Sequence, residues 1–315
     1  MRSITKAGLA VGTALLLAAC SSGGGGGTAV PSPSGTLTAL PAPTRTPTPL
    51  PTWTRQPYGP VLTRNVNAVN TALGKVTVVN NLTDFDTVLG EIGTSASSAG
   101  TGLRGADQPA EVTTAQSELV TALGQVSTDM TKVRGDIKHK NVCALSSALA
   151  EFGQTQGLKA VTAALAKMAA AGYPTTLTVP QIPPPQTRSL DSGTMVREGR
   201  LRGHGVFKVD NGGKSDAVVS LALGGKSVHS VFVAKGDKAS IEGVEDGRYE
   251  VYFSGGVDWD SDAKAFTQNC RFSKFQDTLA FETGRTYTSW SITLQPAVGG
   301  NAKTDDVDEK NYPQP

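Results

Sequence analysis

The residues of this chain with the most chemistry to offer are three cysteines, three histidines and one run of alternating carboxylates. Cys20 follows Leu17-Ala18-Ala19 at the end of an apolar run that begins at Ala7, behind Arg2 and Lys6. A thiolate is a nucleophile, able to take a covalent group. Cys143 and Cys270 are the two cysteines left. Asp258-Trp259-Asp260-Ser261-Asp262 places carboxylates at alternate positions, as a calcium loop does. Ala263-Lys264-Ala265 follows, without the turn glycine or the distant bidentate glutamate of an EF-hand. Asp258, Asp260 and Asp262 are thus an incomplete calcium set, and no metal or other cofactor is expected. His139 sits between two lysines as a helix cap would, His204 stands near a linker and His229 falls in a strand. None neighbours a nucleophile, and no G-x-S-x-G, H-E-x-x-H or phosphate loop occurs, so no catalytic residue is assigned and the chain is read as non-enzymatic. Trp259, Trp290, Tyr249 and Tyr252 fit a core at period two better than a sugar platform.

The first twenty residues resemble a bacterial lipoprotein signal peptide with its lipobox. The resemblance implies that residues 1–19 are removed, that Cys20 is lipidated, and that the protein is held on the outer face of the plasma membrane. The 13-residue run from Ala7 to Ala19 is too short for a transmembrane helix, which needs about 20 residues. In an exported chain Cys143 and Cys270 form an even pair in an oxidising space, which favours a disulfide over two buried thiols if their Cα atoms come within about 7 Å.

Charge narrows the partners. With 29 basic against 27 acidic residues the formal net charge is +2, too small a field to argue for nucleic acid. Arg197, Arg200 and Arg202 read as a solvated edge beside a linker. Aromatics are 6%, while glycine (36) and proline (18) are abundant, as in a chain with long flexible stretches and modest cores.

The elements follow from periodicity. Residues 20–57, with Gly23 to Gly27 and a Thr-Pro run, make a disordered tether. Residues 58–172 carry apolar positions at spacings of three and four: Leu62 to Ile92, with Lys75 to Asn81 as a break; then Val112 to Ile137 behind Pro109; then Val142 to Met168. Gly93 to Gly105 reads as a loop. This pattern predicts an antiparallel helical bundle. Residues 173–199, with Pro183-Pro184-Pro185, make a stiff linker expected to hold two domains apart or at a set angle rather than fused into one core. Residues 200–298 fall to period two with turns about every ten residues, including Asp210-Asn211-Gly212-Gly213, expected at positive φ. Seven or so strands without helices predict a C-terminal antiparallel β-sandwich, and residues 299–315 a polar tail whose acidic run Asp305 to Glu309 is expected to be disordered. The fold class expected is multidomain, α plus all-β.

Glu245-Asp246-Gly247-Arg248-Tyr249-Glu250-Val251, with Asp210-Asn211-Gly212, Asp258-Trp259-Asp260, Phe275-Gln276-Asp277 and Gly299-Gly300-Asn301, resembles a β-sandwich module of actinobacterial surface and membrane-anchored proteins. The resemblance covers about a third of the chain and implies fold and location only, since that module carries no assigned activity. The function expected is a lipid-anchored envelope protein that binds an envelope protein or the cell wall. The alternative is a lipoprotein that binds a sugar or small solute, which would show an enclosed pocket with convergent polar groups.

Overall fold

The computed structural model describes residues 57–295 and 302–315; Cys20, the signal peptide and the tether lie outside the described residues. Among the described residues, five α-helices come first: α1 (Tyr58–Gly74), α2 (Leu82–Arg104), α3 (Thr113–Lys138), α4 (Leu145–Gly153) and α5 (Gln156–Ala170). Leu62, Val66, Val69 and Leu73 put the buried stripe of α1 on one face. The break expected at Lys75–Asn81 is a 3₁₀ turn over Lys75–Thr77, after which Asn81 caps α2 by accepting the Asp84 N–H at 2.8 Å.

The loop expected over Gly93–Gly105 is instead the second half of α2. Packing outweighs the low helix propensity of its glycines, because small residues let α3 come close. A Cβ on Gly93 would lie 3.5 Å from Met130 Cβ, one on Gly100 would lie 3.7 Å from Leu123 Cβ, and Ala96 and Ala99 are buried. α5 crosses α3 still more tightly at Gly157, where a Cβ would fall 2.5 Å from the backbone nitrogen of Val126. Phe85 of α2 and Phe152 of α4 meet edge to face, centroids 6.0 Å apart. Among the described residues, no helix is long and apolar enough to cross a membrane.

The proline-rich segment does not hold two bodies apart. Leu177 is buried among the helices and Ile182 packs against them. Asn70 clips the segment at both ends of its amide, Nδ2 donating to the Thr176 carbonyl and Oδ1 accepting the Thr178 N–H, each at 2.8 Å. Prolines supply no N–H of their own, so a side chain that reads the intervening backbone is what fixes such a stretch. Helices and strands belong to one compact unit.

Ten strands follow among the described residues: β1 (Met195–Arg197), β2 (Gly205–Asn211), β3 (Asp216–Leu223), β4 (Lys226–Val233), β5 (Asp237–Val244), β6 (Gly247–Asp260), β7 (Ala265–Phe275), β8 (Leu279–Phe281), β9 (Ser289–Thr293) and β10 (Thr304–Asp306). One sheet runs β1-β4-β3-β6-β7-β10 with β8 beside β6; the other runs β5-β2-β9. All pairs are antiparallel except β2 with β9. Phe207, Val209 and Ile241 of the smaller sheet share a core with Val219, Leu221, Val231, Val233 and Val251 of the larger one. Gly224 (φ 57°) and Gly225 (φ 75°) make the two-residue β3–β4 turn, which needs positive φ at both positions.

Three expectations change here. Gly212 and Gly213 are not at positive φ; the Gln295 amide lies over Gly212 and accepts its N–H at 2.7 Å. Asp258-Trp259-Asp260, expected in a loop, ends β6, and its hairpin partner β7 begins at Ala265. The polar tail is not free: β10 pairs with Ser273–Phe275 of β7, and Tyr312 is buried against Tyr252 and Phe272. One large aromatic at the end of an acidic run is enough to pin it.

Candidate functional site

Helices and sheet are tied together where α4 and the segment that follows α3 meet β7. Past α3, Lys140 takes φ 59° and turns the chain, and Asp136 holds the turn by accepting the Asn141 side chain at 2.8 Å. That contact, followed by Lys132, holds the Asp136 carboxyl down at about 2. Residues 140–143 then lie along the outer edge of β7 like an added strand. Asn269 N–H donates to the Asn141 carbonyl (3.0 Å), Cys270 N–H to Lys140 (3.0 Å) and Cys143 N–H to Thr267 (2.9 Å). Ser147 of α4 donates to the same Thr267 carbonyl at 2.7 Å. Cys143 and Cys270 form a disulfide across this seam, Cα atoms 6.3 Å apart. Compartment and parity paired these two in the sequence, and a bridge between them was expected to staple the helical part to the β part, as this one does.

Arg188 makes a second tie. Its backbone N–H and Nε donate to Asp258 Oδ1 (2.8 and 2.9 Å), Nη2 to Asp258 Oδ2 (2.8 Å) and Nη1 to Asp260 Oδ2 (3.1 Å). Thr267 Oγ1 donates to Asp258 Oδ2 at 2.6 Å, and the Trp259 N–H to the Arg188 carbonyl at 2.8 Å. The Asp258 side chain is 3% exposed, and the guanidinium beside it holds its carboxyl at about 2 despite burial. Asp260 is lowered chiefly by the Ala263 N–H that it accepts.

The calcium set is therefore corrected. Asp258 and Asp260 point at a guanidinium, Asp260 Oδ1 caps the hairpin turn through the Asp262 and Ala263 N–H groups, and Asp262 contributes its backbone. Among the described residues, no group of three or more His, Cys, Asp or Glu is placed to hold a metal. Sequence reasoning missed Arg188, because a lone arginine inside a proline-rich stretch carries no periodic signal.

Between these ties opens a cleft of about 240 Å³, lined by Leu149 and Ala150 of α4, Pro183 and Pro184, and the polar ends of Gln186, Asp260 and Gln268. Its lining combines apolar side chains with two amides and the Arg188–Asp260 ion pair, a mixture that suits binding of a small molecule. The histidines lie elsewhere: His139 at the C-terminus of α3, His204 exposed, and His229 buried in β4, its Nδ1 accepting the Gly199 N–H at 3.3 Å. Trp259, Tyr249 and Tyr252 are buried; of the four aromatics considered for a sugar platform only Trp290 is exposed. Arg197, Arg200 and Arg202 are exposed beside the linker. Compared with known proteins, the chain matches no family model, and no curated protein or solved structure is significantly similar to it.

Proposed function

We propose that this chain is a non-enzymatic, lipid-anchored protein of a bacterial cell envelope, acting as a structural or interaction module at the outer face of the plasma membrane. In this reading Cys20 carries the lipid and a Gly/Pro/Thr-rich tether follows. An antiparallel helical bundle and an antiparallel β-sandwich, of the kind found in actinobacterial surface proteins, then form one stiff head. The observation that carries the reading is the disulfide across the helix–sheet seam, since a bond between residues 127 positions apart serves a protein that lives in an oxidising space. The partners are the membrane, through the lipid, and an envelope protein or the cell wall; nucleic acid is not among them.

Mass spectrometry of protein made in a native-type host is expected to show an amino terminus at Cys20 bearing a diacylglyceryl group; an unprocessed Met1 terminus would remove the anchor. Saturable binding of the full chain to isolated wall or to an envelope protein is expected at micromolar concentration, and no binding to either would remove the interaction role. The cleft favours a second reading, a small solute or sugar held between α4 and Gln268. Calorimetry against a sugar panel tests it: binding lost in Gln268→Ala supports it, and silence across the panel sinks it.

A further inference from the structure

The edges of the two sheets are treated unequally. The outer edge of β7 is covered by residues 140–143 and then by β10. The outer edge of β4 is covered by β1 and by Gly193 and Thr194, which bond Phe232 on both its N–H and its carbonyl. β5 carries Lys238 and Glu242, and Gly243, at φ 79°, gives its carbonyl to the Gly203 N–H. These are the devices that keep a sheet edge from pairing with another chain: cover, charge and irregular backbone.

Among the described residues, β9 has none of them. Its sequence, Ser289-Trp290-Ser291-Ile292-Thr293, has no charge and no proline, and its ladder with β2 is regular from Val206↔Ser289 to Asp210↔Thr293. The Val206 N–H bonds the Thr288 carbonyl and the Leu294 N–H bonds the Asp210 carbonyl. In a parallel ladder this fixes the parity: residues 288, 290, 292 and 294 face β2, and Ser289, Ser291 and Thr293 turn their N–H and C=O groups outward. Among the described residues nothing pairs with those groups. Beside them Tyr287 is 59% exposed and Trp290 38%.

We propose that β9 is a self-association edge, pairing antiparallel with β9 of a second copy of this chain about a two-fold axis at Ser291. The register is self-complementary. With Ser291 opposite Ser291 of the second copy, Ser289 falls opposite Thr293 and Thr293 opposite Ser289. Every hydrogen-bonded pair then consists of two outward-pointing residues, and Trp290 stands opposite Ile292 in the non-hydrogen-bonded pairs between them. The side chains at the hydrogen-bonded positions are small, uncharged hydroxyls and those between them are apolar, so nothing repels, and the two three-stranded sheets become one of six strands. Five residues bury little area, so the dimer is a weak one.

Sedimentation of the full chain between about 1 μM and 1 mM is expected to show a reversible monomer–dimer equilibrium. Ser291→Lys sets two ammonium groups opposite each other on an exposed position and is expected to weaken the dimer at least about tenfold with unchanged thermal unfolding. In a Cys20→Ser background, Ser291→Cys is expected to form a disulfide-linked dimer under mild oxidation. Facing Cα atoms in a bonded antiparallel pair stand about 5.5 Å apart. Ser240→Cys, on the β5 edge, is expected to stay monomeric. A monomer throughout at about 1 mM, a dimer that survives Ser291→Lys, or equal cross-linking at Ser240 and Ser291 would each overturn the proposal. The first of these would leave the edge to a strand of another protein.

Discussion

Asp258 sits in the left-handed region at φ 58° and is held there by Arg188 and Thr267. Asparagine tolerates that backbone as well as aspartate does, so Asp258→Asn removes the charge and leaves the conformation. Stability is expected to fall by about 2 kcal/mol at neutral pH, less than a fully buried pair would lose, because Arg188 remains partly solvated. The sign with pH is fixed by the direction of the shift. Asp258 is lowered to about 2, below the ordinary carboxylate value of about 3.9, so its contribution is present above about pH 4 and is lost as pH falls toward 2. Denaturation midpoints of the two proteins are expected to converge over that interval. His229 follows the same logic: burial pushes its pKa below the ordinary value, so the stability that it lends is complete above about pH 6.5 and declines at lower pH as the unfolded chain takes up a proton. An NMR titration placing His229 at or above about 6.5 would contradict this. Single residues differed in how much they disclosed. The cysteine pair was readable from parity, whereas the meaning of Asp258 depended on an arginine 70 positions earlier that local sequence does not announce.

The helices were legible where packing and propensity agree and illegible where they part. α3 announced itself by a long stripe, but the far half of α2 looks like a loop because its buried face is glycine and alanine. Those residues are there for the distance they allow. Gly157→Ala, on α5, is the sharpest test, since its Cβ would meet the α3 backbone rather than a side chain that can move aside. A loss of about 2 to 3 kcal/mol is expected by urea titration, although alanine is the better helix former. Alternation located most of the strands. It failed for β10, three exposed residues whose place is set by the β7 edge and by the buried ring of Tyr312, in a region that local pattern labels as tail.

At the scale of the molecule, the sequence suggested two bodies on a stiff spacer, and the structure has one body with the spacer laid against it. The difference lies in long-range contacts, the Asn70 clip, the Arg188 clamp and the cysteine bond, none of which leaves a local pattern. Replacing both cysteines, Cys143→Ser with Cys270→Ser, is expected to cost about 4 kcal/mol in the loop-entropy account. Amide exchange at residues 140–143 is expected to rise first, because their strand-like bonds to β7 lose the covalent tie beside them.

The same bond closes the backbone from Cys143 to Cys270 into a ring that contains the whole proline-rich segment. A single proteolytic nick inside that ring leaves both fragments covalently joined. The damage from an internal cut would surface only on a gel run under reducing conditions.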